Sequence, residues 1–192
     1  RATSGPPPRG RHALVYDSDR KRTVLFGGRQ PPGAYLNDTW EWDGSTWTRF
    51  NVPAPLGREN HAMMYDPVRK KTVLYGGFAN RNDAGFFQAV TDDDTWTWDG
   101  AVWTNLNIVG PVKRQRPMMA FDEKRGVGVL FGGREPTGYP SDTWIWDGAS
   151  WSRRDVPGPS GRTAPMAYDA GLERIVLFGG ESDPAPSSVF AR

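Results

Sequence analysis

Asp38-Thr39-Trp40-Glu41-Trp42-Asp43-Gly44-Ser45-Thr46-Trp47 is the stretch on which the fold turns. It recurs as Asp94-Thr95-Trp96-Thr97-Trp98-Asp99-Gly100-Ala101-Val102-Trp103 and as Asp142-Thr143-Trp144-Ile145-Trp146-Asp147-Gly148-Ala149-Ser150-Trp151. All nine tryptophans fall in these three copies, at three matched positions each. Chance does not sort them that way, so the chain is built from an internal repeat. Within a copy, the first two tryptophans are two residues apart and share one face of a strand. Asp-Gly then makes a tight hairpin, and the third tryptophan lies on the strand that follows.

Upstream of each copy an apolar run ends in a Gly-Gly doublet: Val24 to Gly28, Val73 to Gly77 and Val129 to Gly133, with a fourth at Val176 to Gly180. The doublets are 49, 56 and 47 residues apart. About ten residues before each stands an aromatic-Asp pair, namely Tyr16-Asp17, Tyr65-Asp66, Phe121-Asp122 and Tyr168-Asp169. Each repeat therefore reads as four short strands. The second is apolar on both faces and so buried. Four antiparallel strands at a period near 50 make one propeller blade, which must stack on its neighbours to bury its faces. The repeats span approximately residues 6–53, 54–110, 111–157 and 158–192. The last stops after its Gly-Gly doublet and lacks the tryptophans.

A Gly-Gly doublet closing the second strand, followed by paired aromatics, resembles the Kelch repeat. With Leu-Phe-Gly-Gly and Asn37-Asp38-Thr39-Trp40-Glu41-Trp42-Asp43-Gly44, this form is similar to the Kelch-like repeats of bacterial secreted proteins. The expected fold is all-β, a propeller of four-stranded antiparallel Kelch-type blades, with about three and a half blades present. An open arc would expose apolar faces at both ends. The remaining blades are therefore expected from a longer chain or from a second copy. The resemblance implies an extracellular or cell-envelope location.

Composition narrows the function. Lys and Arg outnumber Asp and Glu by 24 to 22, too even for a nucleic-acid surface. No run of about 18 apolar residues marks a membrane span. There is no Cys, which excludes thiolate metal sites and the Tyr–Cys crosslink of the copper oxidases among Kelch propellers. The two histidines, His12 and His61, stand at matched repeat positions and are too few for a metal ring. No nucleophilic triad or phosphate loop is present, and no cofactor is expected.

The candidate ligand-binding residues lie on loops. Arg9, Arg11, Arg58, Arg114, Arg116 and Arg162 precede the first strands, and Arg29 and Arg134 follow Gly-Gly doublets. In Kelch propellers these loops share one face around the central channel. Arginines converging there suit carboxylates, phosphates or acidic segments. The alternative is structural, with the repeated arginines paired to Asp38, Asp94 and Asp142. On that reasoning the unrepeated Arg11, Arg29, Arg116 and Arg134 are the better contacts. A longer loop from Phe78 to Asp93 adds Phe86 and Phe87. The leading expectation is a non-catalytic binding or structural module for a protein, acidic or glycan ligand. The alternative is part of a propeller enzyme of the epimerase, lyase or glycan-hydrolase kind, with catalytic residues in other blades.

Overall fold

The computed structural model describes residues 5–83 and 86–182, and no side chain between 80 and 89. Its apolar runs become the second strand of each sheet. The first sheet orders Ala13–Asp17, Arg22–Phe26, Thr39–Trp42 and Trp47–Phe50 as an antiparallel meander. The second repeats it with Ala62–Asp66, Lys71–Tyr75, Thr95–Trp98 and Trp103–Asn105. The third uses Met118–Asp122, Val127–Phe131, Thr143–Trp146 and Trp151–Arg154. A final antiparallel pair joins Met166–Asp169 to Arg174–Leu177. The described elements are all strands, and the architecture is that of a β-propeller.

The core lies between blades. Val24 and Phe26 of the first blade pack on Met63, Leu74, Trp98 and Trp103 of the second. Met64, Val73 and Tyr75 of the second pack in the same way on Met119, Leu130, Trp146 and Trp151 of the third. Each blade thus presents one face forward and the other back. Burying each of these side chains contributes about 1.5–3 kcal/mol.

The three tryptophans of a repeat have separate tasks. Trp40, Trp96 and Trp144 donate to the carboxylate two residues before them, Asp38, Asp94 and Asp142. Trp98 and Trp146 are buried between blades. Trp103 and Trp151 donate to Thr39 and Thr95 of the preceding blade, at 2.9 and 3.0 Å.

The glycine doublets mark where the chain entering the next repeat crosses the blade. Gly28 N–H donates to Arg58 O, Gly77 N–H to Arg114 O and Gly133 N–H to Arg162 O, at 2.8, 3.0 and 3.0 Å. The doublets all take positive φ, and a Cβ on Gly28 would lie 2.8 Å from Gly10 O. Only glycine suits both the conformation and the space.

One expectation needs correction. The segment Phe78 to Asp93 is largely a hairpin, with Phe78–Asp83 paired in register to Phe86–Thr91. Phe78 and Ala79 also pair with Glu59 and Arg58, so this ribbon adds two strands beside the loop that enters the second blade. Hydrogen bonding along two strands satisfies main-chain groups that an irregular loop would leave to water.

Candidate ligand-binding face

The arginines before the first strands divide into two classes. Arg9, Arg58 and Arg114 are buried, with side-chain exposures of 3%, 0% and 0%. Each grips the carboxylate of its own repeat with two nitrogens: Asp38 at 2.5 and 2.8 Å, Asp94 at 2.5 and 2.9 Å, Asp142 at 2.6 and 2.9 Å. Each also donates at 3.0 Å to the carbonyl of the first glycine in its doublet, Gly27, Gly76 or Gly132. Arg58 lies 3.5 Å from Asp92 as well, and Arg114 3.3 Å from Glu135. Burial opposes ionisation of Asp38 and Asp142. The bonds from arginine and from Trp40 and Trp144 outweigh it and hold both carboxyls below their ordinary pKa.

These three side chains are therefore scaffold and leave the set of ligand contacts expected from the sequence. Arg162 copies half of the arrangement. It donates to Gly179 O at 3.2 Å and to the Ser160 hydroxyl.

The unrepeated arginines differ. Arg11, half exposed, meets the buried Glu59 through one guanidinium nitrogen, at 3.0 and 3.1 Å. Arg29 lies over the Tyr35 ring at 5.3 Å, and Tyr35 in turn faces Phe78. The Arg116 guanidinium meets the exposed Glu181, at 3.3 Å. Arg134 pairs with Gln115 through the main chain, and its exposed guanidinium has no partner among the described residues. Phe86 and Phe87 stand in the added ribbon, and their side chains lie outside those described.

A feature that sequence reasoning missed sits at the blades' inner ends. Arg11, Asn60 and Arg116 hold matched positions and all adopt left-handed backbone, with φ of 58, 57 and 50°. Their main chains form a relay, Asn60 N–H to Arg11 O and Arg116 N–H to Asn60 O, at 3.0 and 2.7 Å. The signal available was Asn60 itself, the side chain that best tolerates this conformation, standing in register with two arginines.

Beside this relay opens a cavity of about 380 Å³ lined by Arg11, His12, Asn60, His61, Arg116 and Thr163 among others, none of them a carboxylate. His61 is buried and edge-on to Phe26, and among the described residues neither ring nitrogen makes a well-formed hydrogen bond, although the Phe26 main chain interacts weakly with the ring. Burial, with the Arg58 guanidinium nearby, pushes its pKa down to about 3, so the ring is neutral. His12 is lowered too, by burial and by Arg9.

On the opposite face the basic turns are largely neutralised. Arg20, Arg69 and Arg125 pair with Asp17, Asp66 and Asp122, and Arg20 also with Glu41. Lys70 meets Asp19 and Lys124 meets Glu173. Among the described residues no cluster of three or more His, Cys, Asp or Glu could hold a metal ion, and no helix is long and apolar enough to cross a membrane.

No known family's profile matches the chain. A 58-residue stretch is 43% identical to dynein regulatory complex subunit 7 of Chlamydomonas reinhardtii, covering 28% of this chain and 5% of that protein. The solved structure of YjhT, a β-propeller, matches 90% of this chain with a TM-score of 0.68 at 15% identity. The chain spans 59% of the length of YjhT. At that identity the likeness concerns the fold alone.

Proposed function

We propose that this chain is part of a Kelch-type propeller serving as a non-catalytic binding module, outside the cell or in its envelope, whose loop face engages an acidic partner. The observation that carries the reading is the division of the arginines. Arg9, Arg58 and Arg114, repeated in three blades, are consumed by carboxylates. The unrepeated Arg11, Arg29, Arg116 and Arg134 keep exposed guanidinium surface on one face. Guanidinium forks on a shared face favour carboxylate and phosphate groups. The opposite face pairs its bases internally, which supports a partner on the loop side.

Further blades complete the ring, from the same polypeptide or from a second copy. Leu14 and Tyr16 are 51% and 56% exposed, whereas their counterparts Met63 and Tyr65 are 9% and 7%. Val176 and Phe178 are 43% and 82% exposed against 1% and 0% at Val73 and Tyr75. Inside the arc, every such forward face is covered by a backward one.

The test is binding to immobilised polyglutamate and polygalacturonate, with dextran as the neutral control. Binding to either acidic polymer but not to dextran, weakened about tenfold by the double change Arg29→Ala with Arg134→Ala, is the expected result. Which polymer binds separates a polypeptide partner from a glycan. Equal retention on dextran, or indifference to the arginine changes, defeats the reading.

A further inference from the structure

The cavity beside the Arg11–Asn60–Arg116 relay offers two kinds of chemistry in one place. At its rim stand guanidinium groups from the first and third repeats, on either side of Asn60 in the main-chain relay. Arg11 commits one nitrogen to Glu59 and Arg116 one to Glu181, so each retains donors for another group. No lining residue is a carboxylate, so an anion entering the cavity meets positive charge and polar groups. Also lining it is His61, 6% exposed, whose ring nitrogens make no well-formed hydrogen bond among the described residues.

A neutral imidazole offers one donor and one acceptor, which is what a hydroxyl group returns. A buried polar side chain left unpaired is disfavoured, and a ligand hydroxyl at that depth, able to donate or accept, would pair one of the two ring nitrogens. The packing of His61 against Phe26 does not call for ring nitrogens. His12 occupies the matched position in the first repeat, Pro117 in the third and Ala164 in the fourth. The third and fourth repeats fold without a histidine there, and the two histidines of the matched position, His12 and His61, both line this cavity.

We propose that this cavity binds a small hydroxy acid, its carboxylate held between Arg11 and Arg116 and a hydroxyl directed to the His61 imidazole. The proposal rests on the loop-face reading above and narrows it to one pocket and one class of small molecule.

The experiment is calorimetric titration of the whole chain with three four-carbon probes. Tartrate carries carboxylates and hydroxyls, succinate carboxylates only, and erythritol hydroxyls only. Tartrate binds more tightly than either of the others. Arg116→Asn weakens tartrate by about tenfold or more, the size of a lost charge-assisted hydrogen bond. That change keeps the left-handed backbone, because asparagine already occupies it at position 60. His61→Phe preserves the ring contact with Phe26 and brings tartrate affinity down to that of succinate.

Equal affinity for tartrate and succinate, or binding that both variants leave unchanged, overturns the proposal. Failure of tartrate to bind while polyglutamate or polygalacturonate still binds in an arginine-dependent way overturns this site alone. Failure of all the acidic probes overturns the loop-face reading with it.

Discussion

Trp98 donates its indole N–H to Glu41 Oε1 at 2.8 Å, across the boundary between the first and second blades. One blade further on, the equivalent Trp146 is 1% exposed and its indole nitrogen has no partner among the described residues. The reason is the residue in the acceptor position: Thr97 stands where Glu41 stands. Glu41 is itself fixed by Arg20, which donates to both of its oxygens.

This asymmetry predicts opposite responses to two substitutions. Glu41→Ala removes the partner of a buried indole and of a guanidinium together, and costs about 3 kcal/mol. Thr97→Gln supplies the missing acceptor to Trp146 and gains about 1 kcal/mol. Urea unfolding measures both. Destabilisation by Thr97→Gln means the longer side chain does not reach the indole.

The two arginine classes separate in stability as they do in exposure. Arg58→Met leaves a carboxylate and a carbonyl without their buried donor and costs about 3–5 kcal/mol. Arg134→Met, at an exposed guanidinium without a partner, changes stability by less than about 0.5 kcal/mol. Equal losses at the two positions would contradict the division on which the proposed binding face rests.

Gly77 is tightly enclosed by its surroundings. Its φ is +98°, and an added Cβ would stand 2.8 Å from His61 Cβ and 2.9 Å from Glu59 O. Gly77→Ala therefore strains the second blade where the next repeat crosses it, at a cost of about 2–3 kcal/mol. Gly44→Ala, at similar φ but with open space around it, costs less. Thermal melts of the pair read the difference.

Acid sensitivity has a named source. In the unfolded chain the His61 imidazole takes up its proton near 6.5, and in the folded chain only near 3. The unfolded state binds more protons throughout that window. Stability is therefore full above about pH 6.5, and falls as the pH drops towards 3, by about 2 kcal/mol on reaching pH 5. His12 is shifted in the same direction and adds to the loss. In His61→Phe the decrement between neutral pH and about pH 5 shrinks by the His61 share. Parallel stability curves for the two proteins would show that the folded state protonates His61 freely.

Much of the fold was legible because stacking demands repetition. A blade's faces are apolar only at positions that meet the next blade, so the tryptophans, the doublets and the aromatic-Asp pairs return in register. The sheets of the described residues use those same stretches as strands. The ribbon at Phe78–Thr91 escaped because it belongs to no repeat. Its signal, Asn82-Asp83-Ala84-Gly85 between flanking apolar residues, is that of an ordinary turn within what composition marks as a loop.

By itself, the sequence determined the strand content, the repeat and the pool of candidate arginines, since these follow from local patterning at a fixed period. Which arginines are available to a ligand was decided only by tertiary structure. Arg9 and Arg11 are two residues apart, yet one is 3% exposed against Asp38 and the other 50% exposed beside Glu59. The difference is the left-handed turn at Arg11, held by a hydrogen bond from Asn60 of the neighbouring blade. Spacing along one chain cannot encode a bond whose geometry exists only when two blades stand side by side.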